Sequence, residues 1–202
     1  MSGGPAMASA PAPDASALRR RLARALLRAF GWRVDVAWPT APRGVVIVYP
    51  HTSNWDFMVG IVARAAVGLP VSWVGKHGIF RWPLGPVLRR LGGIPVDRRA
   101  PHGLIGQLAA ELARRDWMWL ALAPEGTRAR VEHWRSGFYR LACLADVPLG
   151  LGFIDYREKV VGIREYLALS GDEEADLTRI RAAYQAITAR HPAQAGPIRL
   201  RG

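Results

Sequence analysis

Four short stretches carry side chains suited to proton and anion chemistry. PHTSNWDF (50–57) sets His51 and Asp56 in an H-x4-D arrangement. A histidine oriented by a carboxylate is a general base, because its partner fixes the tautomer and stabilises the imidazolium. Lys76 in GKHGIF, Arg98 in GGIPVDR and Arg128 in APEGTR are cations suited to an anion such as a phosphate. The arginine fork adds bidentate contact. Glu125 precedes Gly126 and Thr127, and a glycine there would let backbone amides approach a ligand closely. A general base facing a phosphate clamp suggests deprotonation of a hydroxyl on a phosphorylated substrate. No covalent nucleophile is required, and the G-x-S-x-G nucleophile elbow is absent. The first stretch also has a purely structural reading, since Ser53-x-x-Asp56 fits a helix capping box.

These residues share a position relative to the elements that must hold them. VVIVY (45–49) is a continuous apolar run of the kind that forms a buried parallel strand. A helix is predicted over 54–67, a strand over 71–75, a proline-interrupted helix over 83–91 and a short strand over 94–96. LIGQLAAELARR (104–115) is amphipathic, with Leu104, Leu108 and Leu112 on one stripe, and WMWLALA (117–123) is again an apolar strand. A helix over 134–146, strands over 148–154 and 159–163, and a helix over 173–190 opening on the acidic turn DEEAD complete the pattern. The alternation predicts an α/β fold: a single domain with a mainly parallel central sheet flanked by helices. His51, Lys76, Asp97 with Arg98, and Glu125 with Arg128 each follow a predicted strand. In an open parallel sheet, ligands bind beyond the carboxyl ends of the strands. A set of helix caps would not need that composition.

The 202 residues carry a formal charge of +12, which points to an anionic partner: nucleic acid, an acidic membrane surface or a phosphorylated substrate. Cys143 is the single cysteine, so disulfides within the chain are impossible, and its apolar context, FYRLACLA, predicts a buried, inert thiol. The five histidines are scattered and no Cys/His spacing resembles a zinc site. Residues 1–14 read as a disordered tail without the basic start and apolar core of a secretory signal. In the apolar stretch 57–75, Arg64, Gly68 and Pro70 indicate helix, turn and strand instead of a membrane span. In the segment 15–31, Leu18, Leu22, Leu26 and Phe30 recur every four residues among Arg19, Arg20, Arg21, Arg24 and Arg28. This basic amphipathic helix suits an anionic lipid surface and equally suits a surface helix packed on its own domain.

On these residues the chain resembles the 1-acyl-sn-glycerol-3-phosphate acyltransferase (glycerophospholipid acyltransferase) family. The family's H-x4-D block corresponds to His51–Asp56, its second block to GGIPVDR (92–98) preceded by Lys76, its F-P-E-G-T-R block to APEGTR (123–128), and its Val-Pro-rich strand to VPLGLGF (147–153). The likeness covers residues 45–155 and implies a glycerol-3-phosphate acyltransferase-like domain over 32–202. It implies transfer of a fatty acyl group to a lysophospholipid-like hydroxyl, with acyl-CoA or acyl-carrier protein as co-substrate and no bound cofactor or metal. In that reading His51 is the base, Asp56 orients it, Glu125, Gly126, Thr127 and Arg128 shape the acceptor site, and Lys76 and Arg98 help hold its phosphate. The expected location is cytoplasmic, peripheral on the inner face of the plasma membrane. Pro50 stands where many members have Asn, and Ala123 where Phe is usual; both bear on acceptor and chain length more than on the reaction. The long hydrophobic N-terminal segment of many relatives is not found, which leaves the 15–31 helix as the expected docking element. The rival readings are a basic nucleic-acid-binding module using the eight tryptophans for stacking, and a thioesterase-like hydrolase or inactive lipid-binding relative on the same fold. Trp73, Trp117 and Trp119 lie in apolar strands and read as core, which argues against the first.

Overall fold

The computed structural model describes residues 17–96 and 103–201. Its elements in chain order are α1 (Ala17–Ala29), β1 (Arg33–Val36), β2 (Arg43–Val48), α2 (Asn54–Val67), β3 (Val71–Lys76), α3 (Leu84–Arg90), β4 (Gly93–Val96), α4 (Gly103–Arg114), β5 (Met118–Leu122), α5 (Gly137–Leu144), β6 (Leu149–Asp155), β7 (Val160–Leu167) and α6 (Glu173–Tyr184), with 3-10 turns at His77–Phe80 and Pro192–Gln194. The predicted 1–14 tail and Asp97–Arg98 lie outside the described residues.

The sheet has seven strands in the order β1-β7-β6-β2-β5-β3-β4. Five neighbours, β6 through β4, run parallel, while β7 returns antiparallel to β6 and β1 pairs parallel to β7. The mainly parallel α/β domain expected from the alternation is therefore the one observed. The setting of β2 explains why its Val45–Val48 run is apolar throughout. Val45 and Ile47 enter the core beneath α4, α5 and α6, and Val46 enters the core beneath α2. A strand covered on both faces has no solvent side on which to place polar residues. Gly162 serves the β1–β7 pair by having no side chain: a Cβ there would lie 1.4 Å from the Asp35 carbonyl oxygen.

Several element limits differ from the sequence pattern. β1 was not expected; its four residues, RVDV, alternate in exposure and are recruited at the sheet edge by pairing with β7. α5 begins at Gly137, not at 134, because the Trp134 amide donates to Arg199 O and the Arg135 amide to Pro124 O, holding that stretch extended. α6 ends at Tyr184, and the predicted helix to 190 is broken where the Tyr156 amide takes Thr188 O across from the sheet. Cys143 is exposed, contrary to its apolar context, because α5 turns Phe138, Tyr139, Leu141 and Ala142 to the core and the thiol outward. The expected helix, turn and strand over 57–75 are present, with Gly68 at φ 80° closing α2 in the left-handed conformation that favours glycine. No helix among the described residues is long and apolar enough to cross a membrane.

Candidate active site

Strand β2 exits at the carboxyl edge of the sheet, and after five intervening residues the chain enters α2. Ser53 caps that helix: its side chain accepts from the Trp55 amide at 3.2 Å, and Asp56 Oδ2 accepts from the Ser53 amide at 2.8 Å. The capping box is thus real, but it leaves Asp56 with further bonding capacity. His51 Nδ1 lies 3.3 Å from the same Oδ2. That is slightly long for an N–H···O bond, and catalytic hydrogen bonds commonly tighten once substrate is bound. The contact assigns the proton to Nδ1 and leaves Nε2 with its lone pair free to act as a base.

The other carboxylate oxygen of Asp56 is also engaged. Oδ1 accepts a 2.7 Å hydrogen bond from the Tyr156 hydroxyl. Asp56 is 2% exposed. Burial works to raise its pKa, but bonds from His51, Tyr156 and the Ser53 amide outweigh it and hold the carboxyl below its usual range. Asp56 therefore remains an anion that can stabilise an imidazolium. Tyr156 experiences the converse: burial and the neighbouring Asp56 push its hydroxyl pKa far up, so it stays a donor.

Glu125 arrives from the loop after β5, the neighbour of β2. It too is 2% exposed, and its Oε2 accepts the His51 backbone amide at 2.7 Å. Burial raises its pKa, with the His51 amide pulling the other way. Its placement fixes the backbone of the histidine loop. Gly126 has φ +66°, and a Cβ there would lie 2.5 Å from Arg135 Nε. The space beside Gly126 thus admits the Arg135 side chain. Thr127 Oγ1 accepts the Ala129 amide at 3.3 Å, and Arg128 is exposed beside it. Lys76 closes β3 at the same sheet edge; its side chain, like Arg98, lies outside the described residues.

Two sets of residues escaped the sequence reading. Tyr156 follows β6, which runs parallel to β2, so the strand-exit rule that found His51 could have found it as well. The C-terminal segment gave no such signal. There the His191 amide donates to Thr52 Oγ1 at 3.2 Å, and Gln194, its amide turned to present nitrogen, donates to Thr52 O and Arg128 O at 3.0 Å each. One side chain ties the two motif loops together. Arg190 lies over the rings of both Trp55 and Tyr156, 5.7 Å from each centroid.

Behind His51 and Asp56 opens a cavity of about 250 Å³. It runs between α2 and the sheet, and Val46, Phe57, Ile61, Trp73 and Ile154 are among its mostly apolar walls. A polar pair at the mouth of a greasy slot can position an apolar chain and act on the polar group at its end.

A family model described as Acyltransferase matches residues 37–150, more than half of the chain. Among solved structures, the fold is similar to that of the 1-acyl-sn-glycerophosphate (LPA) acyltransferase PlsC from Thermotoga maritima, with a TM-score of 0.56 and 15% identity over 86% of this chain and 80% of that one. No curated protein matches the chain.

Proposed function

The chain belongs to the acyltransferase family, and from that premise we propose that it transfers a fatty acyl group from a thioester, acyl-CoA or acyl-carrier protein, to the hydroxyl of a lysophospholipid-like acceptor. Lysophosphatidic acid, the acceptor named for the PlsC structure, is the default. The observation that carries the reading is the His51–Asp56 pair at the mouth of an apolar cavity. The cavity takes the acyl chain and presents its thioester carbonyl beside the imidazole.

His51 Nε2 removes the acceptor hydroxyl proton as the oxygen attacks the carbonyl carbon. The tetrahedral intermediate collapses with cleavage of the C–S bond, and the thiolate leaves with the proton from the imidazolium. Asp56 stabilises the charged imidazole between these steps. Tyr156 and the Ser53 amide hold Asp56 in place. Glu125 and Gln194 keep the histidine loop in register with the Arg128 loop. Arg128, with Lys76 and Arg98, supplies positive charge for the acceptor phosphate. Helix α1 docks the enzyme on an anionic cytoplasmic membrane face, with Leu18, Leu22, Leu26 and Phe30 exposed along it.

Thiol release with a series of acyl-CoAs, measured against lysolipid and non-lipid acceptors with products identified by mass, tests this reading. The expected result is thiol release matched by an ester product. Thiol release matched by free fatty acid would make water the acceptor and the protein a thioesterase. No release with any acceptor would overturn both.

A further inference from the structure

Exposed apolar side chains are unevenly distributed over this molecule. Beyond the α1 stripe, a second group follows β3, in the 3-10 turn His77–Phe80 and helix α3. Trp82 is 87% exposed and Leu84 63% exposed, with Ile79 and Val87 also in solvent. Elsewhere in the same segment the chain packs normally. Phe80 is buried, stacked on Trp73 at 5.8 Å, and Gly85 is buried so tightly that a Cβ would lie 2.0 Å from Phe80 O. The exposed residues are therefore the outer side of a well-anchored element.

The charge along this segment has one sign. No Asp or Glu occurs between Asp56 and Asp97, whereas Arg81, Arg89 and Arg90 border the apolar side chains. All three arginines are exposed. Arg89 lays its guanidinium over the Phe80 ring at 5.4 Å and donates from Nη1 to Phe80 O at 3.4 Å. An exposed tryptophan with leucine and valine, on a segment that carries arginines and no acids, matches a lipid interface: apolar groups enter the acyl boundary, the indole sits at headgroup level, and the cations meet phosphates.

Placement adds a second argument. Phe57 of α2 meets Trp73 edge-on at 4.7 Å, and Trp73 stacks on Phe80, so the 3-10 turn and α3 lie in the same layer as α2. Helix α1 packs on α2 from its other side, through Ala23 and Leu27 against Ala63 and Ala66. The two apolar groups thus flank the helix that roofs the cavity.

We propose that Ile79, Trp82, Leu84 and Val87, with Arg81 and Arg90, form a bilayer-insertion site distinct from α1, which seats the mouth of the cavity against an anionic membrane. Binding is read without turnover, so this proposal stands or falls separately from the acyl-transfer reading. The full chain is sedimented with vesicles of equal parts phosphatidylglycerol and phosphatidylcholine, and with phosphatidylcholine alone. Trp82→Ser/Leu84→Ser should lower partition to the anionic vesicles roughly tenfold or more with α1 intact. Arg81→Glu/Arg90→Glu should lower it on anionic vesicles and not on neutral ones. Leu144→Ser, an equally exposed leucine on the opposite layer, should change nothing. Trp82→Phe, which keeps the bulk and the fold, should reduce the fluorescence quenching produced by bilayers with brominated acyl chains. Unchanged partition in the double serine variant, or undiminished quenching in Trp82→Phe, overturns the proposal. Unchanged partition with a dimer converted to monomer would reassign the surface to a second copy of the chain.

Discussion

The two faces of the central sheet are built differently. On one, α4, α5 and α6 close a single large core in which Leu112, Leu120, Leu141, Leu149, Leu151 and Ile180 are almost completely buried. Leu144 is the one large apolar side chain that this helical layer exposes among the described residues. On the other face, α1 and α2 cover two smaller clusters, a cavity is left between α2 and the strands, and apolar residues of α1, α2 and α3 face solvent. Close packing on one side holds the strand ends in place, so the other side can remain open. A filled layer supplies stability and an unfilled layer supplies room for a ligand.

Substitutions on the two layers should separate these roles. The largest expected effect is on the open side. His51→Ala should reduce kcat by about 10²–10⁴-fold, with the melting transition unchanged, in a thiol-release assay. Retained turnover would remove His51 from the mechanism. On the filled side, Ile180→Ala should destabilise by about 2–5 kcal/mol in denaturant unfolding, while the surviving folded protein keeps its KM. An altered acyl preference in that variant would erase the division of labour.

Smaller effects sharpen the same contrast. Gly60 lines the cavity on α2, and a Cβ there meets nothing within 4 Å. Gly60→Leu should raise helix stability by about 1 kcal/mol and shift acyl-CoA preference to shorter chains. Tyr156→Phe removes one donor from Asp56. It should lower kcat several-fold in the thiol-release assay, and the bond it removes now holds the Asp56 pKa down. The pH dependence of stability has the same origin. The contribution from Asp56 is fully present above its unfolded pKa of about 3.9 and is lost as pH falls through its lower folded value. In Tyr156→Phe the Asp56 contribution should be smaller and its loss complete at a higher pH, as read from melting temperatures between about pH 2 and 6.

The legibility of the site followed from how local each interaction is. His51 and Asp56 are one helix entrance apart, and the capping residue Ser53 between them announces the geometry. Glu125 could be placed at this sheet edge from the strand-exit rule, but its partner, the His51 amide, could not, since nothing in APEGTR specifies a donor 74 residues away. The same rule applied to β6 leads to Tyr156. Gln194 was beyond reach, because a glutamine in a turn is indistinguishable from a solvated one until the fold brings Thr52 and Arg128 to it. Cys143 was misread because an apolar window does not say which residue of a helix points outward when its helix begins later than the pattern suggests.

By itself the sequence determined the α/β alternation, the strands that end in chemical residues, and the family to which those residues correspond. These depend on side-chain periodicity and on spacings within a few residues, which local geometry translates directly into structure. Tertiary structure alone decided that β7 reverses, that Tyr156 completes the bonding of Asp56, and that the C-terminal segment joins the two motif loops. It also decided which face of the sheet is filled and which holds the cavity. Both faces of β2 are equally apolar in sequence, and the layers differ through the helices that cover them, a choice made by long-range packing and not by the strand.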